Sequence, residues 1–168
     1  MKQEPISPSH PLREYFSQTL HLAFETELGW TDLDQVEAYL ADMLTHFATF
    51  DGIYAIRNAE GKRVQSVVEM LAEGDVRQNA DSFDREREVH RHIGDFLLFW
   101  SGLYPEHLNR SSSNKALTDV IEQGRFSYHV VSTFEYGPYA EQAGVFRKLS
   151  THFDEFRSSL YRIRASFA

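Results

Sequence analysis

A chain of 168 residues suffices for one domain that buries roughly 70% of its unfolded surface, and 42% hydrophobic with 14% aromatic residues excludes intrinsic disorder. Cysteine is absent, which removes disulfide staples, thiolate nucleophiles and cysteine-ligated zinc or iron–sulfur centres together. The formal net charge of −8 is unevenly divided, with 15 acids against 6 bases in residues 1–84 and 10 against 11 in residues 85–168, so neither half carries the basic footprint that general DNA or RNA binding needs.

Residues 1–8 contain two prolines and lack the apolar core of a signal peptide, so they read as a flexible extension of a single domain spanning 1–168. The longest strongly apolar stretch, Phe96 to Tyr104, falls far short of the ~20 residues of a membrane span. A cytoplasmic address with no membrane association is expected.

Helical periodicity runs through the chain. A first helix is predicted from Pro11 to Leu28, started by Ser9 and stopped by Gly29. A second carries the seam Leu33, Val36, Leu40, Met43, Phe47 and Phe50, with Thr31 or Asp32 as its N-cap. Residues Gly52 to Gly61 read equally as a helix extension or a short extended piece. A short helix with Val64, Val67, Val68 and Leu71 follows and ends at Gly74, and Asp75 to Asp81 is a polar loop. Ser82 caps a helix that runs to Tyr104, where Pro105 halts it. After the serine loop 111–113, Asn114 starts a helix with Leu117, Val120, Ile121, Gly124, Tyr128 and Val131 on one face. Gly137 and Pro138 separate it from the last helix, where Phe146, Leu149, Phe153, Phe156, Leu160, Ile163 and Phe167 form an unbroken heptad seam. Six helices in one all-α bundle are predicted.

The helix from Ser82 to Tyr104 divides in two. Its first half is densely charged, and the Glu88/His92 pair there is expected on a solvated face. Its second half is apolar almost all round, which marks burial on every face. Asp95 stands at the junction, and a carboxylate there needs a partner. Arg125 is the expected one, because Gly94 and Gly124 suggest a close helix–helix approach beside which Asp95 and Arg125 could meet. His92 and Tyr128 complete the candidate ligand-binding set, and a structural helix-orienting contact is the bland alternative.

The segment from Gly94 to Glu106, with Asp95, Gly102, Tyr104 and Pro105, together with Gly124 and Tyr128 on a later helix, resembles a group of uncharacterised bacterial helical proteins. Members of that group share a Gly-Asp-apolar-Gly-aromatic-Pro-Glu segment. The resemblance extends loosely over residues 30 to 165. It implies an all-α fold and carries no activity or catalytic residue.

The motifs of known chemistries are missing. There is no Glu-x-x-His for a di-iron bundle, no His-Glu-x-x-His for zinc, no nucleophile elbow and no phosphate-binding glycine loop. No cofactor is expected. If a metal were bound, its ligands would come from Glu88, His92, His46, His129 and His152, the last three as a possible three-histidine site. The aromatic set Phe96, Phe99, Trp100, Tyr104, Tyr128, Phe134, Tyr136 and Tyr139 could line an apolar pocket between helices, or simply form a core.

With no catalytic residue to name, the expected role is association with a protein partner or a second copy, as a homodimer through an exposed stripe of a terminal seam. The alternatives are a small-molecule- or metal-binding bundle with its site near Asp95, His92, Arg125 and Tyr128, and an acidic mimic of nucleic acid.

Overall fold

The computed structural model describes residues 5–28, 32–49, 70, 73, 82–107 and 114–167. Among them the chain is all-α: α1 (Pro11–Ala23), α2 (Asp34–Thr49), α3 (Phe83–Leu103), α4 (Asn114–Ser132), α5 (Ala140–Thr151) and α6 (Phe153–Ile163). The readings of residues 52–61 and 75–81 fall outside the described residues. Of the helix read over 62–72 only Met70 is described, helical and fully buried.

Local chemistry accounts for most helix ends. Pro11 stands where a helix loses nothing by lacking an N–H, but the cap is His10, whose Nδ1 accepts from the Leu12 amide at 3.2 Å, and not Ser9. The helix read from Pro11 to Leu28 is helical over that whole span, but its last five residues, Phe24–Leu28, widen from α1 into a π-helix. α2 starts at Asp34, after Asp32 takes a left-handed φ of 67°, so Asp32 punctuates the approach and does not cap. Ser82 caps α3 as read, its hydroxyl accepting from the Arg85 amide at 3.1 Å. Gly137, at φ 57°, makes the turn that restarts the helix before α5.

The last predicted helix is two. His152, at φ −113° and ψ 31°, interrupts it between α5 and α6. The heptad seam survives the break, and Phe146, Leu149, Phe153, Phe156, Leu160 and Ile163 are all buried. The seam of α2 is likewise interior from Leu33 to Phe47. Both stripes thus pack inward over Leu33–Phe47 and Phe146–Ile163, while Phe167 is half-buried and Phe50 lies outside the described residues.

α3 is the central helix. It packs against α4 and α6, while α1 and α2 form a hairpin that meets α6 and α5 respectively. Glycines set the closest approaches, though not as a facing pair. A Cβ on Gly94 would lie 2.6 Å from the ring of Tyr128, and one on Gly124 would lie 2.4 Å from Phe153. Gly94 and Gly124 thus each accommodate an aromatic ring from another helix, and the expected Gly94–Gly124 contact is replaced by two ring-on-backbone contacts.

Candidate functional site

Asp95 is the point where the bundle's polar interior closes. α2 supplies Tyr39, α4 supplies Tyr128, and Arg91 lies one turn earlier on α3. The Tyr39 hydroxyl stands 2.8 and 2.7 Å from the two carboxylate oxygens, and the Tyr128 hydroxyl donates to Oδ1 at 2.7 Å. Arg91 reaches Oδ2 at 3.5 Å. α5 adds Phe146, whose ring lies 5.0 Å from that of Tyr39 and 5.9 Å from that of Tyr128. One carboxylate therefore ties three helices together beneath a fourth.

Burial raises the Asp95 pKa to about 6, against the opposing pull of Arg91 and of the hydrogen bonds from Tyr128 and Tyr39. Burial, reinforced by the Asp95 charge, holds both tyrosines well above their ordinary value, so they remain proton donors. Burial also disfavours the charged Arg91, but Tyr39, Asp95 and Glu88 around it outweigh that cost and its pKa is raised. From Arg91 the network continues toward the surface. Glu88 bridges Arg91 and Arg87 at 2.9 and 3.1 Å, and Arg87 donates to Gln142 at 3.0 Å while lying 4.1 Å over the Tyr139 ring. Burial lowers the Arg87 pKa.

The sequence placed the site residues only in part. Asp95 and Tyr128 do meet. Arg125 does not join them, because its position on α4 faces solvent while Asp95 is interior. The charge partner is Arg91, which i,i+4 spacing on the same helix could have revealed. Tyr39, on a distant helix, carried no such local sign. His92 is buried with its ring 6.2 Å from Phe47 and 6.1 Å from Phe96. Glu88 and His92 are thus not a solvated face: the first lies inside an arginine pair and the second inside an aromatic cluster.

The histidines do not converge. His46 is buried on α2, where burial lowers its pKa, His129 is exposed on α4, and His152 lies at the α5–α6 break beside Glu155 at 3.9 Å. Among the described residues, the one group with three metal-capable donor atoms in mutual reach is His21, Asp34 and Glu37, at the surface. There Glu37 hydrogen-bonds His21 at 2.9 Å and raises its pKa.

A second feature lies on another side of α3. A cavity of about 530 Å³ opens between α1, α2, the C-terminal half of α3 and the 3-10 turn Arg164–Phe167. Its walls include Phe16, Leu44, Phe47, Phe99, Trp100 and Phe167, and none of Asp95, Tyr39, Tyr128 or Arg91. Leu12, Tyr15 and Ala48 are lining residues that also reach solvent, and they mark its mouth. The rings meet edge to face, at 81° for Phe47 with Phe99, 88° for Phe99 with Trp100 and 76° for Phe16 with Phe167. Of the aromatic set read from the sequence, Phe99, Trp100 and Tyr104 line this space. Tyr128 belongs to the Asp95 knot, and Phe134, Tyr136 and Tyr139 cluster together elsewhere.

No protein family, curated protein or solved structure matches the chain. Among the described residues, no helix is long and apolar enough to cross a membrane.

Proposed function

We propose that the protein is a non-enzymatic binding protein for apolar, ring-bearing small molecules, which it holds in the cavity between α1, α2, α3 and the Arg164–Phe167 turn. The cavity itself carries this reading. Its volume of about 530 Å³ falls within the range of small-molecule sites, roughly 300–1,000 Å³, and its aromatic lining is the kind such sites use. Asp95 serves a different end. Its oxygens already accept from two tyrosines and face an arginine, and it stands apart from the cavity wall, so it orients helices and leaves ligand binding to the aromatic face.

Fluorescence titration with the neutral probe N-phenylnaphthylamine tests the proposal. Saturable one-to-one enhancement is expected, and Ala48→Trp, which fills the mouth from an exposed position, should abolish it. A probe signal that never saturates, or one equal in the Ala48→Trp variant, would overturn the reading.

A further inference from the structure

The walls of the cavity differ in how firmly they are held. Phe16, Leu44, Phe47, Phe99 and Trp100 stand on α-helices. Phe167 alone is carried by a 3-10 turn, whose hydrogen bonds have poorer geometry than those of an α-helix. Two polar ties hold that turn to its surroundings. The Tyr15 hydroxyl donates to the Ser166 carbonyl at 2.6 Å, and Arg164 donates to the Leu103 carbonyl at 3.1 Å and to Glu106 at 2.9 Å. The Tyr15–Ser166 and Arg164–Glu106 bonds are exposed, where water competes for the same groups, and the Arg164–Leu103 bond is part-buried. The Phe167 ring rests on Phe16 at 5.7 Å and on Tyr15 at 6.3 Å, so it is a half-buried wedge against α1 and not part of the central core.

We propose that Phe167 is the adjustable wall of the cavity, the residue that limits how large an aromatic ligand can enter, and that the Tyr15–Ser166 hydrogen bond is its latch. The inference rests on the binding role proposed above. Moving the turn outward breaks the hydrogen bonds made by Tyr15 and Arg164 and the contacts of the Phe167 ring with Phe16 and Tyr15, whereas moving a wall carried by α1, α2 or α3 displaces a packed helix. Ligand size is therefore decided where resistance is least. Tyr15 takes part twice, as lining and as latch, which couples occupancy of the mouth to the position of Phe167.

The test compares N-phenylnaphthylamine with a larger neutral pyrene probe on wild type, Phe167→Ala and Tyr15→Phe. Removing the wedge should shift the ratio of the two affinities toward pyrene by about tenfold, the scale on which apolar pockets discriminate small changes in bulk. Tyr15→Phe keeps the ring and loses the latch, so association and dissociation should both accelerate several-fold, and unchanged rates would overturn the latch. An unchanged affinity ratio in Phe167→Ala overturns the inference even where wild type binds the smaller probe. Binding by Phe167→Ala alone, with none by wild type, sustains Phe167 as a plug while the proposed function falls. No binding by either protein removes both. Should Phe167→Ala not fold, Phe167→Leu makes the same comparison with a smaller change.

Discussion

The ring of Tyr128 occupies the space that a side chain on Gly94 would need. A methyl group there would lie 2.6 Å from both Cδ1 and Cε1, and the ring cannot retreat, because its hydroxyl is bound to Asp95 at 2.7 Å and the side chain is fully buried. Gly94→Ala should therefore destabilise the protein by about 1–3 kcal/mol, as overpacking does, despite the ~1 kcal/mol that alanine adds to helix propensity. Gly144, on α5 with nothing near its would-be Cβ, supplies the control. Gly144→Ala should stabilise by roughly 0.5–1 kcal/mol. Urea unfolding of both variants checks the signs, and equal effects would show that helix propensity alone governs both.

The two tyrosines share one acceptor, so their contributions should not add. Each hydrogen bond to a charged group contributes about 1.5–3 kcal/mol, and Tyr39→Phe or Tyr128→Phe should lose about that much. Once one is gone, the buried Asp95 leans harder on the other. A double-mutant cycle should show a coupling of at least about 0.5 kcal/mol, and strict additivity would mean that the two hydroxyls act independently.

Asp95 should also leave a mark on the pH profile. Its pKa rises from 3.8 to about 6 on burial, so the folded chain holds this proton more tightly than the unfolded one. The stability it contributes is complete below about pH 4 and declines as pH rises through about 6, a change of about 3 kcal/mol at ~1.4 kcal/mol per unit. Asp95→Asn cannot titrate. The difference in unfolding free energy between wild type and Asp95→Asn should move against wild type by about that amount between pH 4 and 7, with His21 and His46 common to both. A flat difference would show that Asp95 keeps the same pKa folded and unfolded.

How far the sequence revealed these features depends on range. Helix positions follow from short-range periodicity, and Ser82, Pro105 and Gly137 mark their boundaries with local chemistry that needs no tertiary partner. Asp95 was legible as a group requiring compensation, because a carboxylate before an apolar run is costly wherever it lies. Its partners were not. Arg125 is attractive on paper because it follows Gly124, yet Gly124 receives Phe153 from α6 and Arg125 turns outward. Which helix fills which glycine gap depends on how the helices stack, and no spacing within one helix encodes that. The cavity was half legible: the aromatic residues were visible, but which of them leave space between them follows from the join of α1, α2 and the Arg164–Phe167 turn.

The heptad seam of α5 and α6 invites a last comparison. Leu160 is fully buried, and a Cβ on Gly102 of α3 would lie 2.9 Å from its own Cβ, so this seam faces the centre of the same chain. Truncating it leaves a cavity in the core and should cost about 2–5 kcal/mol in Leu160→Ala. Because the stripe is already covered by α3, the truncation should leave the molar mass measured by light scattering equal to that of wild type across a dilution series. If the seam instead joined two copies, Leu160→Ala would lower that mass at concentrations where the fold, followed by circular dichroism, is intact. A concentration-independent midpoint of unfolding in both proteins would place Leu160 wholly in the intramolecular core, and a midpoint that rises with concentration in wild type alone would place it between copies.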